Sequence, residues 1–197
     1  MESREATFTR ETKETKIKVS LLIDGSGSSD VATGIPFFDH MLDLFTKHGV
    51  FDLTVKADGD LAVDAHHTVE DVGICVGEAI SRALGNKHGV SRYGYGIVPM
   101  DECLVLVACD ISGRPHLNYD LDLPVELIGT FDTSLAEEFL KSLAGNMGLT
   151  LHVKTLAAGN NAHHLIEAVF KGLGRALDMA TSIDPRVQGV PSTKGSL

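Results

Sequence analysis

The chain has 197 residues, 43% of them hydrophobic, and a formal charge of −10 from 17 Lys and Arg against 27 Asp and Glu. That is enough apolar material for one sizeable core, and an acidic chain with no Lys/Arg run lacks the electrostatic footprint of a nucleic-acid binder. No apolar run reaches the length of a membrane span, and the charged, polar N-terminal segment is unlike a signal sequence, so a cytoplasmic protein with no nucleic-acid or membrane partner is expected. The three cysteines, Cys75, Cys103 and Cys109, form no CxxC pair and lie in apolar stretches. They read as small buried hydrophobes rather than disulfides or thiolate ligands.

In chain order, alternation over residues 15–23 predicts a strand, ended by the turn Asp24-Gly25-Ser26-Gly27. No second half of the fingerprint and no helix start follow that glycine pair, so it is weak evidence for a nucleotide loop and a turn is the better reading. Residues 37–48 carry apolar positions at helical spacing and stop at Gly49, read as the C-cap. A strand over 51–57, a turn at Asp58-Gly59-Asp60 and a helix over 66–84 complete the first half. The second half repeats the order, with a strand over 103–111 ending in Ser112-Gly113, a helix over 135–143, a strand over 149–155 and a long helix over 162–180. VSLLIDGSG at 19–27 matches VLVACDISG at 105–113. The chain therefore reads as a single α+β domain over 1–197, duplicated internally into β-α-β-α halves of about 1–90 and 91–197. The halves pack about a pseudo-two-fold, each helix giving an apolar face to its sheet.

The repeat carries chemistry. His66-His67-Thr68-Val69-Glu70 and His163-His164-Leu165-Ile166-Glu167 both spell HHxxE inside helical patterns. On a helix, positions i and i+4 share a face, so His66 lies over Glu70 and His163 over Glu167, while His67 and His164 point about a third of a turn away. Each second histidine is thus poorly placed to serve its neighbour's ion. Two ions are accommodated if each takes His and Glu from one helix and a stray histidine from another. His40 precedes the first motif by nearly the interval at which Glu138 precedes the second, so His40 and Glu138 complete the equivalent sets. A lone helical histidine is ordinarily solvent-facing or satisfied in the core, but the paired, repeated spelling favours metal, because imidazoles and a carboxylate buried together need a cation. The metalloprotease spelling HExxH is absent, and a histidine-rich set suits Mn, Fe, Co or Zn better than Mg or Ca. His88, His116 and His152 read as structural, and His48 as a residue at a helix C-terminus, where an imidazolium complements the dipole.

Five stretches carry a resemblance: PFFDHMLDLFTKHG (36–49), DAHHTVEDVGICVG (64–77), DISGRPHL (110–117), NNAHHLIEAVFKGLGRAL (160–177) and PSTKGSL (191–197). Together they are similar to the monofunctional form of imidazoleglycerol-phosphate dehydratase, over essentially the whole chain. The resemblance implies two halves of the ribosomal protein S5 domain 2-like type. It implies a lyase of histidine biosynthesis that converts D-erythro-imidazole-glycerol phosphate to imidazole-acetol phosphate and water. It also implies two manganese ions per active site, at subunit boundaries of a 24-subunit shell. One ion would take His66, Glu70 and His164, the other His40, His67, His163 and Glu167. Glu138 stands where the family often has a histidine as the remaining ligand of the first ion, and a carboxylate can coordinate in its place. Substrate contacts implied are Glu14, His48, Arg92, Arg114, Lys171, Ser192, Thr193 and Lys194, the basic ones suited to phosphate. Leu44 falls where some members carry a polar Gln.

The chemistry expected is loss of the imidazole N–H to give an imidazolate, expulsion of the adjacent hydroxyl, and proton loss from the next carbon to an enol that ketonises. Glu14 and Glu167 are the candidates for proton transfer. Two rivals use the same residues. A dinuclear hydrolase would release inorganic phosphate, and a metal-storage shell would bind metal without turnover and leave Arg92, Arg114 and Lys194 without a purpose.

Overall fold

A computed structural model describes residues 3–121, 123 and 126–197. The first half runs β1 (Glu5–Glu11), β2 (Thr15–Leu22), β3 (Ser29–Ala32), α1 (Pro36–Gly49), β4 (Asp52–Gly59) and α2 (His66–Leu84). The second runs β5 (Tyr93–Met100), β6 (Cys103–Asp110), β7 (His116–Asp120), the short ribbon β8 (Leu127–Ile128) and β9 (Phe131–Asp132), α3 (Leu135–Met147), β10 (Thr150–Ala157) and α4 (Ala162–Thr181). The two main sheets have the orders β1-β2-β4-β3 and β5-β6-β10-β7. In each, the strand before the first short helix lies parallel to its neighbour and all other pairings are antiparallel. The duplication is therefore present strand for strand.

The sequence signalled only the buried strands. β2 and β6 alternate buried residues (Ile17, Val19, Leu21; Val105, Val107, Cys109) with more exposed ones (Lys16, Lys18, Ser20; Leu104, Leu106, Ala108), which is the period of a half-covered sheet. The added strands β1, β3, β5 and β7 lie outside them and carry polar or glycine-rich sequences whose pairing is imposed by the neighbour. The repeat register also moves. Val19 pairs with Val55 and Val107 with Val153, so Thr15–Leu22 is equivalent to Cys103–Asp110, a slip of two residues from the match of VSLLIDGSG to VLVACDISG. A shift of two preserves the buried face, which is why the string match looked sound. The first short helix runs through Gly49, and the left-handed residue that ends it is Val50, with φ 56. The second extends to Met147, capped by Gly148 at φ 70.

The helices lie between the sheets. α2 packs on β1, β2 and β4 and also on α3 of the other half, while α4 packs on β5 and β6 and on α1. Small residues set the two crossings at equivalent places. A Cβ on Gly77 would come within 2.6 Å of Leu143 O, and one on Gly174 within 2.5 Å of Phe45 O. Between the crossings, Phe38 stacks on Phe131 and edges onto Phe139, which stacks on Phe170. All four are fully buried, each worth roughly 1.5–3 kcal/mol of transfer free energy. This core ties the two halves together and fixes α1 against α4 and α2 against α3.

Candidate metal centre and its surroundings

Both HHxxE motifs sit in the first turn of their helices, held by the same local device. The side chain of Asp64 accepts from the backbone N–H of His66, and that of Asn161 from the backbone N–H of His163. An Asx residue two positions ahead satisfies one of the free N–H groups of the helix start. The histidines are thereby displayed at the N-terminal ends of α2 and α4. Within each pair the rings stand nearly perpendicular, at 86°, so the two histidines face different surroundings, as the helical spacing requires.

The α1–α4 packing brings His40 to the second motif. Nε2 of His163 lies 3.2 Å and Nε2 of His40 3.9 Å from the same oxygen of Glu167. One donor atom from each of His40, His163 and Glu167 falls within 4.8 Å of the others. Ligands at about 2.1 Å from one transition-metal ion stand some 3–4 Å apart, so two imidazoles and a carboxylate at this spacing fit such an ion. Glu167 is buried, but the imidazoles of His40 and His163 are 47% and 40% exposed. The cost of burying imidazole, used above to favour metal, is therefore not incurred within one chain. Lys171, one turn further along α4, places Nζ 2.5 Å from the other oxygen of Glu167. Burial draws the Glu167 carboxyl upward, but Lys171, His163 and His40 hold it below its ordinary value.

His48 and Lys171 belong to the same surface, together with Arg175, which the sequence reading missed. Burial, with the charges of Lys171 and Arg175, pushes the His48 imidazole below its ordinary pKa. His48 is thus disposed to be neutral, the opposite of the imidazolium expected at a helix C-terminus. Only its position one turn after Lys171 on α4 could have drawn attention to Arg175. Leu44, on the same helix as His40, packs against the apolar core.

The remaining ligand candidates are placed elsewhere. His66 Nε2 lies 3.9 Å from Glu70, beside a cleft of about 550 Å³ lined by Gly34, Ile35, Asp64, Ser134 and Leu135. Glu138 faces Lys141 at 3.4 Å and belongs to no three-donor group among the described residues. His67 turns Nδ1 to Asp60 at 3.0 Å, with Glu14 at 3.8 Å. His164 turns Nδ1 to Glu102 at 3.0 Å, with Asp101 at 3.9 Å. Both rings are raised above the ordinary imidazole pKa, chiefly by these hydrogen bonds to Asp60 and Glu102. Neither joins the His40 group.

A third assembly lies at the other end of α4. Arg92 forms a two-pronged pair with Asp110 and donates to Pro191 O, and its backbone N–H donates to Ala180 O. The C-terminal residue Leu197 lies against Gly113, next to Arg114. Arg92, Arg114 and the 192–194 segment are thus gathered on one side of the molecule, with Lys194 N–H bonded to Ser192 Oγ. From His163 to Ala180 the helix rises about 25 Å. One small substrate cannot touch both ends of α4 of the same chain.

The fold is a duplicated α+β domain in which the His40, His163 and Glu167 group lies at one end of α4 and the Arg92 assembly at the other. Residues 33–177 match the family model described as imidazoleglycerol-phosphate dehydratase. Curated dehydratases of that description from Moorella thermoacetica, at 58% identity over 99% of each chain, and from Bacillus subtilis, at 56% over 98% of this chain and all of that one, are similar throughout. The crystal structure of the Staphylococcus aureus enzyme superposes with a TM-score of 0.82, at 39% identity, over 91% of this chain and 99% of that one. The Pyrococcus furiosus enzyme gives 0.82 at 40%, over 96% and 100%. The chain belongs to the imidazoleglycerol-phosphate dehydratase family, whose members are carbon–oxygen hydro-lyases. No helix of the described residues is long and apolar enough to cross a membrane.

Proposed function

We propose that the chain dehydrates D-erythro-imidazole-glycerol phosphate to imidazole-acetol phosphate in histidine biosynthesis, at a dinuclear manganese site shared between copies in a 24-subunit shell. The observation that carries this is the convergence of His40, His163 and Glu167, with Lys171 and His48 beside them, in a member of this family. His67 would complete that ligand set from a neighbouring copy. His66 and Glu70, with Glu138 on the adjacent helix, would take His164 from another. Sharing is supported by two facts: His67 and His164 do not join the His40 group, His164 lying instead with Asp101 and Glu102, and about 25 Å of helix separates the His163 end of α4 from Arg92, Arg114, Ser192, Thr193 and Lys194. A neighbouring copy would bring that basic group to the phosphate.

Bound metal supplies positive charge that lowers the pKa of a coordinated imidazole N–H. The chain's own residues do the rest. The C–O bond next to the ring breaks and its electron pair leaves with the hydroxyl, which takes a proton to become water. The neighbouring carbon gives its proton to a base, leaving an enol, and ketonisation adds a proton to the ring-side carbon. Glu14 and Glu167 are the carboxylates assigned to these transfers, and the phosphate clamp holds the carbon chain in a reactive pose. Purified protein loaded with manganese should convert the substrate to an enolisable ketone. Release of inorganic phosphate without a ketone, or metal binding without turnover, would refute the proposal.

A further inference from the structure

The two outward-facing histidines share a feature that the ligand sets do not contain. His164 directs Nδ1 at Oε2 of Glu102 and His67 directs Nδ1 at Oδ2 of Asp60, both at 3.0 Å. A carboxylate oxygen only accepts, so in each neutral ring Nδ1 carries the proton and Nε2 holds the lone pair. Among the described residues, no hydrogen bond or ion pair reaches either Nε2. The two carboxylates come from non-equivalent places. Asp60 follows β4, whereas Glu102 sits in the turn between β5 and β6 beside Asp101, whose φ is 47. In the strand register the counterpart of Glu102 is Glu14, which lies at 3.8 Å from His67 and leaves the hydrogen bond to Asp60. The halves reach one arrangement through different residues. Simple inheritance from the duplication does not produce that, whereas a shared demand on the two rings does.

We propose that Glu102 and Asp60 are positioning residues, which fix the tautomer and aim of His164 and His67 so that each presents Nε2 to a metal ion held by a neighbouring copy. The inference rests on the dinuclear reading above and adds to it the residues that prepare the intersubunit ligands. Carboxylates in this relation to metal-bound imidazole orient the ring and strengthen it as a ligand, and their loss typically costs 10–100-fold in metal affinity.

The test measures manganese dissociation constants for the assembled wild-type protein and for Glu102→Ala, Glu102→Gln and Asp60→Ala. Both alanine variants should keep the circular dichroism and thermal midpoint of the metal-free protein and bind manganese about 10–100-fold more weakly. Glu102→Gln, which keeps a carbonyl acceptor for Nδ1–H, should fall between wild type and alanine. Turnover lost at limiting manganese should return in excess manganese, because the two carboxylates act through the metal-binding histidines. Wild-type affinity in both alanine variants would overturn the inference alone, as would a loss of turnover that excess metal does not restore. A wild-type protein that takes up no manganese would overturn the dinuclear reading, and the inference with it.

Discussion

Glu14 and Glu102 stand at the same point of the two halves, immediately before the equivalent strands β2 and β6, and each approaches Nδ1 of the second histidine of an HHxxE motif. Their distances differ: 3.8 Å from Glu14 to His67 and 3.0 Å from Glu102 to His164. Glu102 is held by its hydrogen bond, and its carboxyl is lowered chiefly by it. Glu14 is displaced by Asp60 and left exposed at the tip of its hairpin. The duplication has thus produced one engaged carboxylate and one available for chemistry.

Glu14→Gln should therefore lower kcat by about 10²–10⁴-fold, the usual contribution of a general acid or base, while the manganese content stays at the wild-type value. Steady-state kinetics alongside metal analysis checks both parts. Full turnover in the variant would remove Glu14 from the proton transfers.

Lys171 has a different signature. Burial pulls the Glu167 carboxyl up and Lys171 draws it down, leaving it below its ordinary value of 4.5. A carboxyl depressed on folding contributes stability that is present above its unfolded pKa and lost as pH falls through the folded one. Lys171→Met removes the main force holding it down, so acid unfolding of the variant should begin at a higher pH than in wild type. Acid titration of the metal-free protein, followed by circular dichroism, measures the shift. Coincident acid limbs would show that the 2.5 Å contact is energetically idle.

The contact of α4 with β5 gives a stability prediction with an internal control. A Cβ on Gly94 would lie 1.8 Å from Ala176 O, whereas a Cβ on Gly145 in α3 meets nothing within 4 Å. Gly94→Ala must push helix from sheet and should destabilise by about 1–3 kcal/mol, the cost of overpacking a close-packed contact. Gly145→Ala removes a helix-interior glycine and should stabilise by about 0.5–1 kcal/mol. Urea midpoints for the two variants should move in opposite directions.

How much of this was legible beforehand follows from which interactions are local. The helix pattern, the pairing of His163 with Glu167 and the divergence of His164 depend on positions within one turn, and the spacing alone gave them. The convergence of His40 on Glu167 depends on α1 crossing α4, and the repeat hinted at it only through matched intervals. Strands β1, β3, β5 and β7 were illegible because half or more of their residues face outward and pair with a neighbour that the sequence does not name. Asp60, Glu102 and Arg175 were missed for a related reason: each matters through a partner in another element, and acidic residues in turns are ordinarily solvated.

The cysteines test the buried reading directly. All three are free and buried, and burial pushes the Cys75 and Cys109 thiols up to about 12 and raises that of Cys103 as well. At pH 8 a thiol of that pKa is about one part in ten thousand thiolate, so its attack on a disulfide reagent should be roughly a thousandfold slower than that of an exposed cysteine. Native protein mixed with a chromogenic disulfide should therefore release almost no thiolate over minutes, and three equivalents per chain should appear once guanidinium unfolds it. A fast native equivalent would mean that one of these strands or helices opens far more readily than its packing implies, and labelling followed by peptide mapping would identify which. Cys103 is the informative site, because it lies at the start of β6 beside Glu102. Reactivity confined to Cys103 would reveal motion in the hairpin that carries Glu102, and an aim of His164 set from a moving support could not favour metal binding as strongly as a fixed one.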